Sequence, residues 1–194
     1  MTETELLQLF KSKNALLEGH FILSSGLHSN RYMQSALLLQ YPDVAEQLGK
    51  ELAARFPFHI DTVLSPAMGG LIIGQEVGRA KKTRAIFSEK DDEGKPILRR
   101  GFSLSDGEKV LIIEDVITTG LSTNEVVSLV KSSNAELMGI GSIVNRSLTP
   151  NKTLAALGKP LFSLLNLEVQ SWQSDNCDLC KQGTLAIKPG SRKK

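Results

Sequence analysis

Two adjacent acids, Glu114 and Asp115, follow a run of four aliphatic residues near the middle of the chain. The run, residues 110–113, predicts a strand that is buried on both faces, as in a parallel sheet. Ligands of such sheets bind at the carboxyl ends of the strands. The acids are therefore candidates for binding the hydroxyl groups of a ligand, or a metal ion. Taken alone, the same pair also fits a solvated turn or the start of a helix.

A segment rich in hydroxyl groups and glycine comes next and precedes a helical pattern at residues 125–130. Backbone N–H groups at a helix N-terminus, together with hydroxyl donors and the helix dipole, form a binding site for phosphate. A ligand that reaches both features needs a phosphate at one end and hydroxyl groups in the middle, so a phosphorylated sugar fits. The residues that supply these groups are Thr118, Thr119, Gly120, Ser122 and Thr123.

Two further turns offer groups for an anion. Gly69 and Gly70 lie between a predicted strand and a predicted helix, where glycine lets backbone N–H groups approach a ligand. A plain strand-to-helix turn is the alternative. Arg146 follows the predicted strand 137–144, and its planar guanidinium suits a carboxylate, although an arginine at such a position is by default a surface residue.

Strands and helices alternate along the chain, which predicts a parallel α/β sheet. An amphipathic helix is expected over residues 4–17, ended by Gly19, with short strands at 21–23 and 31–33. A second helix begins at Pro42 and runs to about residue 56. Strands then follow at 62–64, 84–87, 110–113 and 137–144, with helices at 70–80 and 122–131.

The composition limits the class of protein. The chain has 194 residues, 41% of them hydrophobic, which suits one domain with a substantial core. A net charge of +2 and 5% aromatic residues give little support to nucleic-acid binding. Neither a Walker loop nor a dinucleotide-binding glycine motif is present. The acidic start and the lack of a long apolar run indicate no membrane span and a cytoplasmic protein, and residues 188–194 are expected to form a solvated tail.

The two cysteines, Cys177 and Cys180, form a C-x-x-C pair near the C-terminus. A metal site would need two more ligands from the three histidines, His20, His28 and His59, none of which are paired at ligand spacing. Structural or unremarkable thiols are therefore favoured over a zinc or redox site. No side chain is assigned as a metal ligand.

The run from residue 110 to 122 resembles the 5-phosphoribosyl 1-diphosphate (PRPP) motif of type I phosphoribosyltransferases, which has four apolar residues, two acids, three small or apolar residues and Thr-Gly. The resemblance implies that Glu114 and Asp115 bind the ribose hydroxyl groups. The 5′-phosphate would be bound by the loop of Val116, Ile117, Thr118, Thr119, Gly120, Leu121 and Ser122. The turn of Ala67, Met68, Gly69 and Gly70 resembles the pyrophosphate loop of the same family.

Residues 19–32 resemble the hood of orotate phosphoribosyltransferases, in which Phe-x-Leu-x-Ser-Gly-x-x-Ser precedes a tyrosine. The likeness extends through residues 98–102, Arg146 and the C-terminal cysteine pair. It implies a type I phosphoribosyltransferase fold, a parallel sheet flanked by helices with a small N-terminal hood. The hood would comprise about residues 1–40 plus the C-terminal segment, and the core about residues 41–165. The family further implies transfer of the phosphoribosyl group to orotate, Mg²⁺ held mainly by PRPP, and a homodimer with shared active sites.

When the family's residue roles are carried over to the matching positions, the predicted contacts of orotate are Ser25, Gly26, Thr118 and Arg146. The predicted catalytic residues are Asp115 and Lys90, and Lys90 would also bind PRPP. Residues 88–100 would close over the site as a lid, with a solvated hairpin as the alternative. Many family members have lysines where this chain has Ser24 and Gly69, and the family's loop histidine is missing. The basic residues that could supply the lost pyrophosphate contacts are Lys90, Lys95, Arg99 and Arg100.

Two other functions share the PRPP motif. One is a phosphoribosyltransferase for a purine or xanthine, which the hood sequence disfavours because the choice of base resides there. The other is a PRPP-sensing regulator without catalysis, which the near-neutral charge and the absence of a helix-turn-helix disfavour.

Overall fold

A computed structural model describes residues 1–23, 26–146 and 152–189. Helices and strands alternate along most of this length. In chain order the elements are α1 (Glu3–Ser12), β1 (Leu16–Ile22), β2 (His28–Met33), α2 (Ser35–Leu39), α3 (Pro42–Ala54), β3 (Thr62–Pro66), α4 (Gly70–Lys81), β4 (Arg84–Lys90), β5 (Pro96–Ile97), β6 (Lys109–Ile117), α5 (Leu121–Ser132), β7 (Glu136–Asn145), α6 (Lys152–Ala155), β8 (Leu161–Asn166), β9 (Ser171–Trp172), a 3₁₀ turn (Ser174–Asn176) and α7 (Asp178–Lys181).

The larger of two sheets has six strands in the order β5-β4-β3-β6-β7-β8. All neighbours pair in parallel except β5, which is antiparallel to β4. The predicted parallel sheet flanked by helices is therefore confirmed. Strand β6 lies between β3 and β7, so the loops that follow these three strands lie at one edge of the sheet.

The side chains of β6 alternate between two hydrophobic clusters, one on each face of the sheet. Leu111 and Ile113 pack with residues of α3 and α4, whereas Val110 and Ile112 pack with residues of α5. All four are fully buried. Burial on both faces explains why residues 110–113 are all aliphatic. It also fixes the position of the residues that follow them at the end of the strand.

The smaller sheet has three strands in the order β1-β2-β9, and both of its pairings are antiparallel. The expectation of one helix over residues 4–17 is wrong at its C-terminal part. The helix ends at Ser12, Asn14 takes a positive φ of 53°, and Leu16 already pairs with Met33 in the hairpin. Gly19 lies inside β1 and ends no helix.

Residues 88–100 form a short hairpin in this structure. Strand β4 extends to Lys90, and Lys90 and Glu89 pair with the two residues of β5. The turn is closed by the Asp91 carboxylate, which accepts hydrogen bonds from the backbone N–H groups of Glu93 and Lys95. The solvated hairpin thus describes this conformation, and closure over a ligand stays a prediction.

The pattern of the sequence did not indicate α2 or β8. No helix in the described residues is long and apolar enough to cross a membrane. The predicted solvated tail lies largely outside the described residues, which end at residue 189.

Candidate active site

Glu114 and Asp115 lie in the last four residues of β6, at the edge where the parallel strands end. A Glu114 carboxylate oxygen accepts a hydrogen bond from the N–H of Asp115 at 3.1 Å, and Asp115 Oδ1 accepts one from the N–H of Val116 at 2.8 Å. The Glu114 side chain is buried and the Asp115 side chain is partly exposed. The two acids therefore differ in environment although they are adjacent in sequence.

Burial raises the pKa of Glu114 well above its ordinary value, and the negative charge of Asp115 raises it further. Two carboxylates side by side, one of them dehydrated, are unfavourable unless a ligand supplies hydrogen-bond donors or positive charge. Strongly raised carboxyl pKa values in a cleft are typical of functional sites.

One cleft brings together seven of the residues that the sequence singled out. It lies between the turn after β3, the end of β6, the start of α5 and the β4–β5 hairpin. The predicted residues that line it are Ala67, Gly69, Lys90, Glu114, Asp115, Val116 and Ser122. Ile117 is instead buried in the core, and the side chain of Met68 is 81% exposed to solvent.

The predicted phosphate loop connects β6 to α5. Gly120 immediately precedes α5 with a positive φ of 76°, a conformation that glycine adopts without strain. Gly120 has no side chain to cap the helix, and among the described residues the side-chain bond at this end is a long one of 3.4 Å, from the N–H of Leu121 to the Thr119 hydroxyl. Uncapped N–H groups and the positive end of the helix dipole make this helix start a suitable anion site.

The predicted pyrophosphate loop is pressed against β6. A Cβ atom on Gly69 would lie 2.5 Å from Asp115 Oδ1, and one on Gly70 would lie 3.0 Å from the Ile113 carbonyl oxygen. The loop is also tied to the hairpin, because the N–H of Ala67 donates to the Ser88 carbonyl at 2.8 Å. A side chain at position 69 would therefore force the Asp115 carboxylate to move from its present position.

Lys90 reaches across the cleft, where its Nζ lies 3.1 Å from a carboxylate oxygen of Glu125 on α5. Lys95 instead pairs with Glu93 in solvent, and Arg100 pairs with Glu89 through two hydrogen bonds of 2.9 Å. Of the four basic candidates for pyrophosphate contacts, Lys90 is the one that lines the cleft within the described part of the chain.

Arg146 directly follows β7, and its N–H donates to the Ile117 carbonyl at 2.8 Å, which places it beside the end of β6. Its side chain is half-buried, and within the described residues its Nε has no hydrogen-bond partner. Burial lowers the pKa of Arg146, and Tyr32 of the small sheet partly offsets that effect. A dehydrated guanidinium with a free donor is suited to a ligand carboxylate.

The remaining predicted orotate contacts belong to the β1–β2 turn. Ser25 and Ser24 lie outside the described residues. Gly26 has a positive φ of 83° and donates its N–H to the Leu23 carbonyl at 2.9 Å. Gly26 does not line the cleft described above.

Sequence reasoning missed Glu125 and treated Ser88 only as a boundary, yet both line the cleft. The position of Glu125 was detectable, because it lies three residues after Ser122 and residues at that spacing share a helix face. The spacing of the histidines along the sequence did not reveal a contact between two of them: His20 Nε2 lies 2.8 Å from His28 Nδ1, because β1 and β2 form a hairpin.

Comparison with known proteins identifies the family of the chain. Residues 38–173 match the model of the phosphoribosyl transferase domain family. The chain is 46% identical to orotate phosphoribosyltransferase of Caldicellulosiruptor bescii and 48% identical to that of Pelotomaculum thermopropionicum, in both cases over 100% of both chains. The chain belongs to the orotate phosphoribosyltransferase family.

Solved structures confirm the type I phosphoribosyltransferase fold. Orotate phosphoribosyltransferase from Aeropyrum pernix superposes with a TM-score of 0.72 at 24% identity, covering 84% of this chain and 93% of that one. Adenine phosphoribosyltransferase from Trypanosoma brucei superposes with a TM-score of 0.63 at 16% identity, covering 81% and 79%. Phosphoribosyltransferases that are named for different bases thus share this fold, so the choice of base must be argued from the site.

Gly69→Ala is expected to lower kcat/KM of phosphoribosyl transfer by about tenfold to a hundredfold, because the new methyl group would displace the Asp115 carboxylate by a sizeable fraction of an ångström or more. Steady-state kinetics with PRPP as the varied substrate measure the effect. Gln47→Ala on the exposed face of α3 is the control, since that residue lies outside the predicted site. Wild-type kinetics in Gly69→Ala would show that the contact with Asp115 is unimportant.

Glu114→Gln is expected to stabilise the free protein at neutral pH. Because the folded-state pKa of Glu114 is raised, ionisation of this group lowers the free energy of unfolding. The decrease begins as the pH rises above the ordinary pKa of 4.5, and it is complete once Glu114 ionises in the folded protein. The Glu114→Gln variant has no ionisable group at this position, so its extra stability over the wild type should vanish below about pH 4.5. Thermal unfolding across pH measures this, with exposed Glu168→Gln as control. An advantage that does not change with pH would contradict the assignment.

Proposed function

We propose that the protein transfers the 5-phosphoribosyl group from PRPP to orotate, giving orotidine 5′-monophosphate and pyrophosphate, a step of de novo pyrimidine biosynthesis that leads to UMP. The observation that carries the choice of orotate is Arg146, a half-buried guanidinium whose Nε has no partner among the described residues. Orotate is a base with a carboxylate, and adenine, hypoxanthine and xanthine have none. The full-length similarity to orotate phosphoribosyltransferases supports the same choice.

PRPP would lie along the edge of the sheet. Glu114 and Asp115 offer carboxylate oxygens that accept hydrogen bonds from the ribose hydroxyl groups, and the uncapped start of α5 offers N–H donors to the 5′-phosphate. The turn at Gly69 runs beside Asp115, close enough for its backbone N–H groups to approach the pyrophosphate end of the same molecule.

The chemical step needs positioning more than covalent catalysis. As the bond from C1 to the pyrophosphate oxygen breaks, its electron pair leaves with pyrophosphate and C1 becomes oxocarbenium-like. The ring nitrogen of orotate then supplies an electron pair to C1, and its proton passes to solvent. The carboxylates beside the ribose stabilise the positive charge that develops, and the loops hold donor and acceptor in line.

Orotate would be oriented from both ends of the site. Arg146 forms charge-assisted hydrogen bonds with its carboxylate, and Thr118 at the start of the phosphate loop contacts the ring. Gly26 would complete the contacts from the side of the small sheet, and a contact from Ser25 stays a prediction from the sequence. The electrostatic effect of Tyr32, a residue of the small sheet, on the pKa of Arg146 supports this arrangement.

The β4–β5 hairpin would act as the lid. Its Lys90 is paired with Glu125 across the cleft, so pyrophosphate would compete with that carboxylate for the ammonium group. Closing the hairpin would exclude water and thus protect PRPP from hydrolysis. Lys90 would then neutralise the charge of the departing pyrophosphate.

Mg²⁺ would enter with PRPP, whose phosphates and hydroxyl groups would hold most of its coordination sphere. The residues present fit such an ion, because the cleft is lined by the carboxylates of Glu114 and Asp115, the oxygen ligands that magnesium prefers. When bound, the ion offsets the negative charge of the leaving group.

A homodimer is proposed as well. Met68 in the pyrophosphate loop is 81% exposed and Ile72 in the first turn of α4 is 43% exposed, and a second subunit would cover both. Sedimentation of the purified protein should give twice the chain mass of 21.2 kDa. The cytoplasmic location stays a prediction from the sequence.

Arg146→Gln is expected to raise KM for orotate by about 10- to 100-fold, the equivalent of roughly 1.5–3 kcal/mol for hydrogen bonds to a charged group, with a much smaller change in KM for PRPP. Initial-rate kinetics with each substrate varied in turn measure the split. Exposed Arg55→Gln at the end of α3 is the matched control. An unchanged KM for orotate would remove the main argument for this base.

Asp115→Asn is expected to lower kcat/KM for PRPP by at least about tenfold, equal to roughly 1.4 kcal/mol, because it removes the negative charge beside the reacting sugar. The same kinetic assay measures it, and Asp106→Asn in an exposed turn controls for the loss of a surface charge. Near-wild-type kinetics would refute the ribose-binding role.

A further inference from the structure

Four potential metal ligands meet at the junction of the β1–β2 hairpin with the C-terminal segment, far along the chain from the acids of the cleft. They are His20, His28, Cys177 and Cys180, and their donor atoms all lie within 4.8 Å of one another. His20, His28 and Cys177 are buried, and both cysteines are free thiols. None of the four lines the PRPP cleft.

The distances within this cluster fit one tetrahedral ion. Zinc bonds of about 2.0–2.1 Å to nitrogen and 2.3 Å to sulfur place neighbouring donors roughly 3.3–3.8 Å apart in a tetrahedron. Here Cys177 Sγ lies 3.4 Å and Cys180 Sγ 3.8 Å from His20 Nε2, and Cys180 Sγ lies 3.3 Å from His28 Nδ1. The two histidine nitrogens, at 2.8 Å, need to separate by only about half an ångström to admit the ion.

The surroundings also prepare His20 to bind a metal. Its Nδ1 lies 3.0 Å from the carbonyl oxygen of Thr184, an acceptor that requires the proton to be on Nδ1. The lone pair is then on Nε2, which is the nitrogen that faces the cysteines. A backbone carbonyl that orients a histidine through its other ring nitrogen is the usual outer support of zinc sites.

We propose that His20 Nε2, His28 Nδ1, Cys177 Sγ and Cys180 Sγ bind one structural Zn²⁺ ion. The ion takes the two cysteines as thiolates, so two thiol protons are released on binding, and the resulting Cys₂His₂ site has no net charge, which suits its burial. All four positions are filled by protein, as in structural rather than catalytic zinc sites.

The site would fasten the C-terminal segment to the small sheet. The segment already runs beside β1, where the backbone groups of Ile187 exchange hydrogen bonds of 2.8 Å with His20 and Ile22. Ligands from both strands of the hairpin and from the start of α7 would tie the C-terminal segment to the paired strands β1 and β2. The two histidine ligands also bracket the β1–β2 turn, so the ion would fix the ends of that turn.

The first test is the metal content of full-length protein from which any affinity tag has been removed. After incubation with equimolar zinc and desalting, elemental analysis should give one zinc ion per chain, and Cys180→Ser and His28→Ala should lose it. His59→Ala is the matched control, because His59 is exposed and pairs with Asp61, and it should keep the full amount. This measurement needs no substrate, so it is independent of the proposed activity.

The second test identifies the ligands in folded protein. Cobalt in place of zinc should give thiolate-to-cobalt charge-transfer bands and the intense visible bands of tetrahedral geometry. Cys180→His preserves four ligands, so it should still bind cobalt with about half of the charge-transfer intensity. In the wild type, removal of the metal should expose residues 174–187 to proteolysis and lower the thermal unfolding midpoint.

Three results would overturn the proposal. The first is wild-type protein that retains no zinc after the equimolar incubation. The second is full zinc content in His28→Ala. The third is wild-type protein, purified from zinc-replete cells, that carries a disulfide between Cys177 and Cys180 and is lighter by two hydrogens, which would make the pair a redox element instead.

Discussion

Burial of β6 on both faces is the constraint on which the active site depends. Because its four aliphatic residues are fully enclosed, the strand has one register against β3 and β7, and its last residues leave the core at a fixed point. Gly69 then packs against Asp115, and the N–H of Arg146 bonds to the carbonyl of Ile117. The positions of the acids, the glycine turn and the arginine all follow from the placement of this strand.

Glu114 in the cleft and Arg146 beside the end of β6 are ionisable groups that the described part of the protein leaves poorly stabilised. Burial and the neighbouring Asp115 raise the pKa of Glu114, and Arg146 is dehydrated without a partner for its Nε among the described residues. A ligand with hydroxyl groups in the middle and anionic groups at its ends would relieve both conditions. Destabilised groups of this kind cost stability in the free protein, which is a common feature of active sites.

Local patterns were enough to predict the parallel sheet, α3, α4, α5 and the acid pair, because each depends on periodicity or spacing within a short stretch. What the sequence did not indicate depends on distant pairings. The contact of His20 with His28 requires the hairpin register, and that of either with Cys177 requires the return of the C-terminal segment. The early end of α1 at Ser12 depends on Leu16 pairing with Met33. The reason for glycine at position 69 appears only when β6 is packed beside it.

The most direct test of the account is a comparison of bases with purified wild-type protein, PRPP and Mg²⁺. Orotate consumption is followed by the loss of its ultraviolet absorbance, and adenine, hypoxanthine, xanthine and uracil are followed in parallel by pyrophosphate release. The account predicts turnover with orotate alone. Turnover of a purine in place of orotate, or binding of PRPP without turnover of any base, would contradict it.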